Sequence, residues 1–417
     1  MHQTTVVVVG AGHAGLAVSH QLTERSIDHI VLERGQVGET WRTQRWDSLR
    51  LLTPNWQSCL PGMAYEGNDP DGFMSMPEVI SFIDRYAAVT GAPVRTGTEV
   101  TAVTAGASGY QVVTSAGTWE APTVVLASGP FNAAKVPGLA SELPASITQV
   151  TPLDYRNPAQ LPPGKVLVVG ASATGAQIAD ELLRSGREVT IAVGNHVRML
   201  RTYRGRDAMW WLDKLGRHDE RYDEVDDLVR ARNVPSPQLV GTPAREDLDL
   251  NVLTDRGAEL VGRLASVRDG QLLFSGALRN TCSLADLKLN RFLDQADAWF
   301  SQETGDTDRG PRPAPTRLPD DPRLSLDLEA EGYSTVLWAT GFRADHSWLQ
   351  LPVFDRKGDL RHDGGVVTDA PGLYRIGLNF LRRRKSSFIH GAGDDAADLV
   401  EHLAGFLADR SSVASVG

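Results

Sequence analysis

A glycine-rich turn near the start of the chain has the spacing of a site that binds a diphosphate. The pattern is G-x-G-x-x-G at residues 10–15, directly after a run of four valines. In such a turn Gly10 permits the tight bend, Gly12 lets the backbone approach a phosphate, and Gly15 lets the following helix pack closely on the strand. The amides and the positive dipole end of that helix then face the phosphates. The spacing predicts a dinucleotide-binding turn, with Glu33 placed to accept hydrogen bonds from a ribose.

The chain repeats this pattern once. Residues 165–193 align with residues 5–33 without a gap, and Gly170 and Gly175 stand where the first turn has its outer glycines. In both copies a short β-branched run, a glycine turn, a segment of helical period and a second β-branched run follow one another, which is typical of a β-α-β unit. Short continuous apolar runs indicate strands covered on both faces. The repeat predicts an α/β fold with two Rossmann-like dinucleotide-binding domains, the second inserted in the first.

The second copy differs from the first where a ligand would be recognised. Ser172 replaces the middle glycine, and Val193 occupies the position of Glu33. Because no carboxylate is there to repel a 2′-phosphate, this copy favours NADPH over NADH. Arginine suits phosphate recognition, and four arginines follow: Arg198, Arg201, Arg204 and Arg206. Either some of them, Arg198 first, contact the NADPH phosphate, or all four form a solvated charged face.

The segments between and after the two turns indicate how the domains are connected. A predicted strand at residues 124–126 leads into Ala-Ser-Gly, a second at residues 335–338 leads into Ala-Thr-Gly, and a proline-rich linker lies at residues 158–164. The predicted divisions are residues 1–157 with 335–417 for the first, discontinuous domain, residues 164–334 for the inserted domain, and residues 206–330 for a helical and loop insertion within it. Trp210 and Trp211 either line a substrate channel in this insertion or pack its helix into the core.

Composition excludes several classes of partner. The chain has 42 basic and 52 acidic side chains and a net charge of −10, which argues against nucleic acid as a partner. Cys59 and Cys282 form neither a CxxC motif nor a metal-ligand cluster, so we expect reduced thiols and no metal. No apolar run is long enough to span a bilayer, and the N-terminus lacks the pattern of a signal peptide. We expect a cytoplasmic protein; the sequence indicates no oligomeric state.

Three further segments, taken with the paired turns, resemble the class B flavin-dependent monooxygenases. They are GETWR at residues 38–42, residues 49–61 and WATGF at residues 338–342. Within that class the chain is similar to the plant auxin-forming flavin monooxygenases and to bacterial flavoproteins associated with cation transport. The resemblance covers nearly the whole chain, with residues 206–330 matching least. It implies FAD in the first domain and NADPH in the second.

The resemblance also implies which residues contact each cofactor. Those expected on FAD are Gly10, Gly12, His13, Ala14, Gly15, Glu33, Arg34, Thr40, Trp41, Val100, Ala127, Ser128 and Gly129. Those expected on NADPH are Gly170, Ser172, Gly175 and Arg198, and Gly341 is expected at the cofactor site as well.

The chain departs from the family pattern at two places. Tyr155 matches the end of the fingerprint F-x-G-x-x-x-H followed by an aromatic residue, but the three residues before it do not, and they are Ala145, Ile147 and Thr151. This departure argues in particular against Baeyer–Villiger chemistry. Leu52 stands where animal members have an asparagine beside the flavin, with Asn55 nearby. We therefore assign no catalytic residue from the sequence.

The resemblance implies a monooxygenase reaction. NADPH would reduce FAD, dioxygen would add at the flavin C4a, and the (hydro)peroxyflavin would deliver one oxygen atom to a nitrogen, a sulfur or a carbonyl carbon of a small substrate. Two other functions stay open: an NAD(P)H-dependent flavin oxidoreductase or disulfide reductase without oxygenation, and a non-catalytic flavin redox sensor. Cys59 and Cys282 provide no dithiol motif for the disulfide reaction.

Overall fold

Two five-stranded parallel sheets organise the chain, of which the computed structural model describes residues 1–107, 109–268 and 270–414. The first sheet has the strand order Leu373–Arg375, Thr123–Leu126, Val6–Val9, His29–Leu32 and Val94–Arg95. The second has the order Thr148–Val150, Tyr333–Trp338, Lys165–Val169, Val189–Ala192 and Glu259–Val261. The predicted mixed α/β class is confirmed.

The sequence repeat corresponds to a repeat in structure. Helices His13–Glu24 and Ala173–Arg184 begin directly after the two glycine turns and have the same length of 12 residues. The strand before each turn, Val6–Val9 or Lys165–Val169, is almost wholly buried, because helices and neighbouring strands cover both of its faces. Each sheet therefore presents a glycine turn at the carboxyl end of a central strand, where ligands bind in open α/β sheets.

The strands divide the chain differently from the predicted boundaries. Thr148–Val150 lies before the proline-rich linker, yet it pairs with Tyr333–Trp338 at the edge of the second sheet. Tyr333–Trp338 belongs to that sheet because it also pairs along Lys165–Val169. Strands Ala133–Ala134 and Phe342–Arg343 pair antiparallel where the chain crosses between the sheets. The chain thus enters the second sheet before residue 148 and leaves it after residue 338.

Smaller sheets flank the two large ones. Gly109–Thr114 and Gly117–Ala121 pair antiparallel as a hairpin. They form a four-stranded sheet with Val100–Gly106 and His2–Gln3. The second half of the chain adds a three-stranded sheet of Leu264–Arg268, Gln271–Phe274 and Ser325–Asp327. Two-stranded pairs are Cys59–Leu60 with Met63–Ala64, Val197–Arg198 with Pro237–Gln238, and Thr202–Tyr203 with Arg206–Asp207.

The remaining described helices connect these sheets or cover them. The α-helices are Glu39–Thr43, Met76–Thr90, Ala208–Lys214, Leu228–Arg232, Leu250–Asp255, Leu278–Thr304 and Ala392–Ala414, and the 3-10 turns are Asn55–Gln57, Gly138–Glu142, Pro158–Gln160 and Ile389–Gly391. Across the described ranges, none of the helices is both long enough and apolar enough to cross a bilayer.

The tryptophan pair packs a helix into the core. Trp210 and Trp211 lie on helix Ala208–Lys214, and their rings stand edge-on to that of Trp299, at centroid distances of 5.5 and 5.8 Å. Trp211 is fully buried. Leu52 and Trp56, from the first half of the chain, pack against the same cluster. Of the two interpretations of this pair, core packing is the one observed. The cluster also joins the two halves of the molecule.

Candidate cofactor and active site

The first glycine turn has the backbone that a phosphate-binding turn requires. Gly10 has a φ of +110°, and a Cβ added there would lie 2.6 Å from the carbonyl oxygen of Ala127. A Cβ on Gly15 would lie 2.0 Å from the carbonyl oxygen of Gly10. Around Gly12, by contrast, no heavy atom of the described chain lies within 4 Å of such a Cβ. The turn leaves open space in front of the N-terminus of helix His13–Glu24, where a phosphate fits.

Glu33 ties the end of the neighbouring strand to this turn. It follows strand His29–Leu32 and is 7% exposed. Its two carboxylate oxygens accept hydrogen bonds from the backbone amides of Ala11, at 2.8 Å, and Gly35, at 3.0 Å. Each oxygen keeps a further lone pair, so the carboxylate can also accept a hydrogen bond from a ribose hydroxyl beside the turn.

Helix Glu39–Thr43, which carries Thr40 and Trp41, lies against the same turn. The residue before it, Gly38, donates its backbone N–H to the carbonyl oxygen of Ala11 at 3.0 Å. The ring of Trp41 lies 6.5 Å from that of His13. Burial lowers the pKa of His13 to about 4, and its Nε2 is buried with no hydrogen-bond partner in the described structure. A neutral imidazole with one free nitrogen therefore stands at the start of the helix, next to Ala14.

The loop after the second strand of the sheet completes this side of the site. Ala127 donates its backbone N–H to the carbonyl oxygen of Val9 at 2.9 Å. Behind the loop, the fully buried Arg375 donates to Ser128 Oγ at 3.4 Å and to the carbonyl oxygen of Gly129 at 3.0 Å. Burial lowers the pKa of Arg375 to about 9, so the guanidinium stays charged at pH 7. The sequence offers no pattern that marks this arginine.

Val100 and Arg34, which are also predicted to contact FAD, lie close to Glu33. Thr98 donates its backbone N–H to the carbonyl oxygen of Glu33 at 2.8 Å, which brings the start of strand Val100–Gly106, and with it Val100, beside the acidic residue. Arg34 is exposed. The structure thus brings Glu33, the helix at Thr40 and the loop at Ser128 against the first glycine turn.

The second glycine turn reproduces the first. Gly170 has a φ of +115°, and a Cβ added there would lie 2.3 Å from the carbonyl oxygen of Ala339. A Cβ on Gly175 would lie 2.0 Å from the carbonyl oxygen of Gly170. Ser172 has φ −79° and ψ −176°, against −79° and 177° for Gly12. The same backbone therefore carries a serine at the middle position, and Ser172 Oγ lies 3.4 Å from the carbonyl oxygen of Asn195.

Gly341 lies on the crossing between the two sheets. It has a φ of +98°, and its carbonyl oxygen accepts a hydrogen bond from the backbone N–H of Lys135 at 2.8 Å. Gly341 therefore helps to hold the two connecting segments together, two residues after Ala339, whose carbonyl oxygen faces the second turn.

Arg198 is bound to carboxylates within the protein. It is 4% exposed; its Nε and Nη2 donate to Asp249 at 2.9 and 2.6 Å, and its Nη1 donates to Asp286 at 2.7 Å. The charge of the guanidinium is thereby compensated, and most of its N–H groups are used. This arrangement gives no support to the predicted contact between Arg198 and a phosphate of NADPH.

Two of the other three arginines are also used internally. Arg201 is fully buried, pairs with Asp207 at 2.5 Å and donates to the carbonyl oxygen of Leu52 at 2.9 Å. Arg204 pairs with Asp297 at 2.7 Å. Of the four, Arg206 alone is exposed, 5.1 Å from the ring of Trp210. The segment is thus neither a free phosphate site nor a solvated face, because three of its arginines form internal ion pairs.

The region where the family pattern departs holds a buried asparagine. Asn55 is 5% exposed and donates from Nδ2 to the carbonyl oxygen of Asp69 at 2.8 Å. Its Oδ1 is buried without a partner in the described ranges. Leu52 stands three residues earlier and contributes its backbone carbonyl to Arg201. No nucleophile, base and orienting group emerge here as a catalytic set.

Comparison with known proteins agrees with this geometry. The sequence profile of the pyridine nucleotide-disulphide oxidoreductases matches residues 7–206. A CzcO-like oxidoreductase of Geobacillus kaustophilus is 32% identical over 405 residues, which cover 96% of this chain and 99% of that protein. The indole-3-pyruvate monooxygenase YUCCA4 of Oryza sativa is 25% identical over 442 residues, covering 97% and 89% of the two chains.

A solved structure shows the same fold. The flavin-containing monooxygenase from Stenotrophomonas maltophilia has a TM-score of 0.69 to this chain, at 18% identity, over 98% of this chain and 100% of that one. The resemblance predicted from the glycine turns and the short segments around them is confirmed. The chain belongs to the family of the CzcO-like oxidoreductases and is an oxidoreductase enzyme.

Proposed function

We propose that this enzyme is an NADPH-dependent monooxygenase that holds FAD at the first glycine turn and NADPH at the second. The observation that carries the proposal is the pair of turns with the same backbone, each at the carboxyl end of a strand in its own sheet. A monooxygenase in which NADPH reduces FAD within the same chain has to hold both dinucleotides, and two such turns can do so. We propose that each sheet is the centre of one dinucleotide-binding domain.

The residues of the first turn fit FAD. The open space at Gly12 accommodates a diphosphate, which FAD has and FMN lacks, and the carboxylate of Glu33 lies where a ribose would bind. We infer that Ala127, Ser128 and Gly129 line the same cofactor. The free Nε2 of His13 offers a further neutral hydrogen-bonding group.

The second turn fits a nicotinamide dinucleotide, and we propose NADPH rather than NADH. Residues 193–196 contain no carboxylate that would repel a 2′-phosphate. Gly170, Ser172 and Gly175 would hold the diphosphate. Since Arg198 is bound to two carboxylates, we assign it to the support of this domain and not to the phosphate.

When bound, FAD would supply the oxidation–reduction chemistry. With two electrons from the nicotinamide and one molecule of dioxygen, one oxygen atom would enter a small substrate with a nucleophilic nitrogen or sulfur, or with a carbonyl group, and the other would leave as water. The chain itself has to hold both diphosphates, exclude water and position the substrate. This division of labour agrees with a site whose described residues include two glycine turns and the carboxylate of Glu33 but form no catalytic triad.

A disulfide reductase is disfavoured by the state of the two cysteines. Burial raises the pKa of Cys59, and it raises the pKa of Cys282 to about 12. Thiol–disulfide exchange requires a thiolate, and both thiols are held protonated at pH 7. The two cysteines also lie on different elements, strand Cys59–Leu60 and helix Leu278–Thr304.

The test is an oxygen-label experiment. Purified holoenzyme is given NADPH and ¹⁸O₂ together with a panel of amines, thioethers and ketones, and products are analysed by mass spectrometry. We expect one labelled oxygen atom in the product of the true substrate class. Unlabelled dioxygen in labelled water is the control, and Gly12→Val provides a matched protein without flavin. Flavin that NADPH reduces, with no label in any product, would indicate a reductase; flavin that NADPH does not reduce would indicate a sensor.

A further inference from the structure

A buried arginine to which the described chain offers no carboxylate stands behind the first glycine turn. Among the described residues three arginines are buried, namely Arg198, Arg201 and Arg375. Aspartates balance the first two, since Arg198 lies 2.6 Å from Asp249 and Arg201 lies 2.5 Å from Asp207. For Arg375 no described carboxylate opposes the effect of burial, which lowers its pKa to about 9. This arginine is therefore a buried cation of a different kind from the other two.

The groups that contact Arg375 are all uncharged. Its Nη2 donates to the carbonyl oxygen of Gly129 at 3.0 Å, and its Nη1 lies 3.4 Å from Ser128 Oγ and 3.2 Å from both ring nitrogens of His346. Burial and the charge of Arg375 lower the pKa of His346 to about 3, so the imidazole is neutral at pH 7. A buried charge without compensation is strongly destabilising. That the chain keeps one here indicates that an anion from outside the chain balances it.

One loop separates this cation from the first glycine turn. Arg375 ends strand Leu373–Arg375 and is paired in register with Leu126, at the carboxyl end of the first sheet. The loop that follows Leu126 touches the turn, because a Cβ added to Gly10 would lie 3.3 Å from the Cα of Ser128. The guanidinium therefore lies directly behind the loop whose other side faces the turn.

The hydroxyl group of Ser128 can transmit the effect of the charge. A hydroxyl group both accepts and donates hydrogen bonds. Ser128 Oγ accepts from Arg375, and no described residue accepts the hydroxyl hydrogen in turn. A cation behind a hydroxyl group polarises it and makes its hydrogen a stronger donor. Such a donor suits an anionic oxygen, with which hydrogen bonds are strongest.

The equivalent place in the second sheet has an uncharged residue. Strand Thr148–Val150 takes the edge position there that Leu373–Arg375 has in the first sheet. Thr151 follows it directly, at the level that Arg375 has in the first sheet. Its hydroxyl group donates to Asp154 at 2.6 Å. The buried cation thus distinguishes the turn proposed for FAD from the turn proposed for NADPH.

We propose that Arg375 is a positioning residue whose charge is balanced by the diphosphate of FAD, through Ser128 and Gly129. The proposal rests on the proposed function, because it takes the first turn as the FAD site. The diphosphate carries the negative charge of FAD at pH 7. When it binds, the phosphate gains a cation behind the loop, and the buried guanidinium gains the counter-charge that the chain does not supply. The first turn therefore holds its dinucleotide tightly, whereas the second, without such a charge, can exchange its own.

The first test separates the charge of Arg375 from its hydrogen bonds. Arg375→Gln keeps an N–H donor but removes the charge, and Arg375→Lys keeps the charge with a different geometry. The dissociation constant for FAD is measured from the flavin fluorescence that appears when the full-length holoenzyme is diluted. We expect Arg375→Gln to raise it at least about tenfold and Arg375→Lys to stay within about threefold of the parent. Equal losses in the two variants would overturn the proposal.

A matched control removes the same charge elsewhere. Arg206→Gln takes one positive charge from an exposed position of the second half, and it should leave the dissociation constant for FAD unchanged. If Arg206→Gln weakens FAD as much as Arg375→Gln does, the net charge of the protein matters and not the position of Arg375, which would overturn the proposal.

A second test compares stability with and without flavin. In the holoenzyme, Arg375→Gln should lower the midpoint of thermal unfolding by several degrees, because the diphosphate loses its cation. In Gly12→Val, which we expect to fold without flavin, the same substitution removes an uncompensated buried charge and should lower the midpoint less or raise it. A fall in the flavin-free chain as large as that in the holoenzyme would show that Arg375 merely holds the loop.

The reduction potential of the flavin tells on which part of FAD the charge acts. A cation that acts on the diphosphate should leave the potential of the ring system unchanged, so we expect the same potential for Arg375→Gln and the parent enzyme. A lower potential in Arg375→Gln would mean that the cation stabilises the reduced flavin ring, which would contradict the assignment to the diphosphate.

Failure of this proposal and failure of the proposed function give different results. Label transfer from ¹⁸O₂ by the parent enzyme, together with unchanged FAD affinity in Arg375→Gln, would overturn the role of Arg375 and leave the monooxygenase reaction standing. Weaker FAD binding in Arg375→Gln that Arg375→Lys restores, with no label in any product, would overturn the monooxygenase reaction and leave the role of Arg375 standing.

Discussion

The two glycine turns have nearly the same backbone but carry different side chains at the positions that would contact a ligand. At the outer glycines both turns place a virtual Cβ 2.0–2.6 Å from a backbone carbonyl oxygen. At the middle position the φ angles are the same, −79°. What differs is chemical: Gly12 against Ser172, and the acid Glu33 against the apolar Val193. The outer glycines preserve the fold, and we propose that the middle residue and the residue at the strand end select the ligand.

The residues at the two strand ends differ in what their side chains contact as well as in charge. Glu33 holds two amides at the first turn. Val193 is fully buried in the core of the second half and donates its backbone N–H to Val261. The first turn is thus linked to its strand end by a carboxylate, while the second has no such link.

Replacing an outer glycine should have the largest effect, and the same effect in both turns. Gly15→Val and Gly175→Val each force a side chain to within 2.0 Å of a backbone oxygen, so the helix must move off its strand. We expect a loss of at least about 3 kcal/mol in the free energy of unfolding, measured by urea denaturation. Gly12→Val and Ser172→Val are the matched controls, and both should fold. If either outer-glycine variant has the same urea denaturation curve as the parent chain, the two turns do not depend equally on their outer glycines.

Replacing Arg198, the buried arginine of the second half, should have the next largest effect. Arg198→Ala leaves Asp249 and Asp286 without their cation, so we expect the free energy of unfolding to fall by about 3–5 kcal/mol. KM should rise alike for NADPH and NADH, because the residue supports the domain. Arg206→Ala, at the exposed arginine, should stay within about 0.5 kcal/mol of the parent. A rise in KM confined to NADPH would instead assign Arg198 to the 2′-phosphate.

The sequence predicted the features that depend on neighbouring residues. The turns, the helices after them and the position of Glu33 follow from local spacing, and the structure has them where expected. Arg198 was not predictable in this way, because its partners lie 51 and 88 residues further along the chain. Gln57 and His218, 161 residues apart, and the buried Arg375 are likewise brought to their places only by the packing of the two halves.

Exchanging the middle residues tests ligand selection without disturbing the fold. Gly12→Ser gives the first turn the residue of the second and should weaken FAD about tenfold, since its Oγ enters the space for the diphosphate. Ser172→Gly should leave FAD unchanged and lower the KM for NADPH. Flavin content after dialysis and steady-state kinetics provide the measurements. Full FAD affinity in Gly12→Ser would mean that the diphosphate does not lie at this turn.

The last prediction is a pH dependence of stability that only the first turn has. His13 has a folded pKa of about 4, against an ordinary value of 6.5; the second turn has Ala173 at this place. The unfolded chain therefore takes up the proton first, and the stability due to neutral His13 is complete above pH 6.5 and declines towards pH 4. The expected slope is about 1.4 kcal/mol per pH unit.

His13→Ala should flatten the denaturation midpoint between pH 7 and pH 5 relative to the parent chain. The other buried histidines contribute equally to both proteins, so the difference isolates His13. Parallel profiles for the two proteins would show that this histidine does not titrate as its burial implies.

The most direct measurement is an anaerobic titration of the purified enzyme with NADPH, followed at the flavin absorption band. The account predicts one FAD per chain, complete bleaching by one equivalent of NADPH, slower bleaching by NADH, and no flavin in Gly12→Val. A protein that binds FMN, or that retains FAD in Gly12→Val, or whose flavin neither nicotinamide reduces, would contradict the assignment of the two turns.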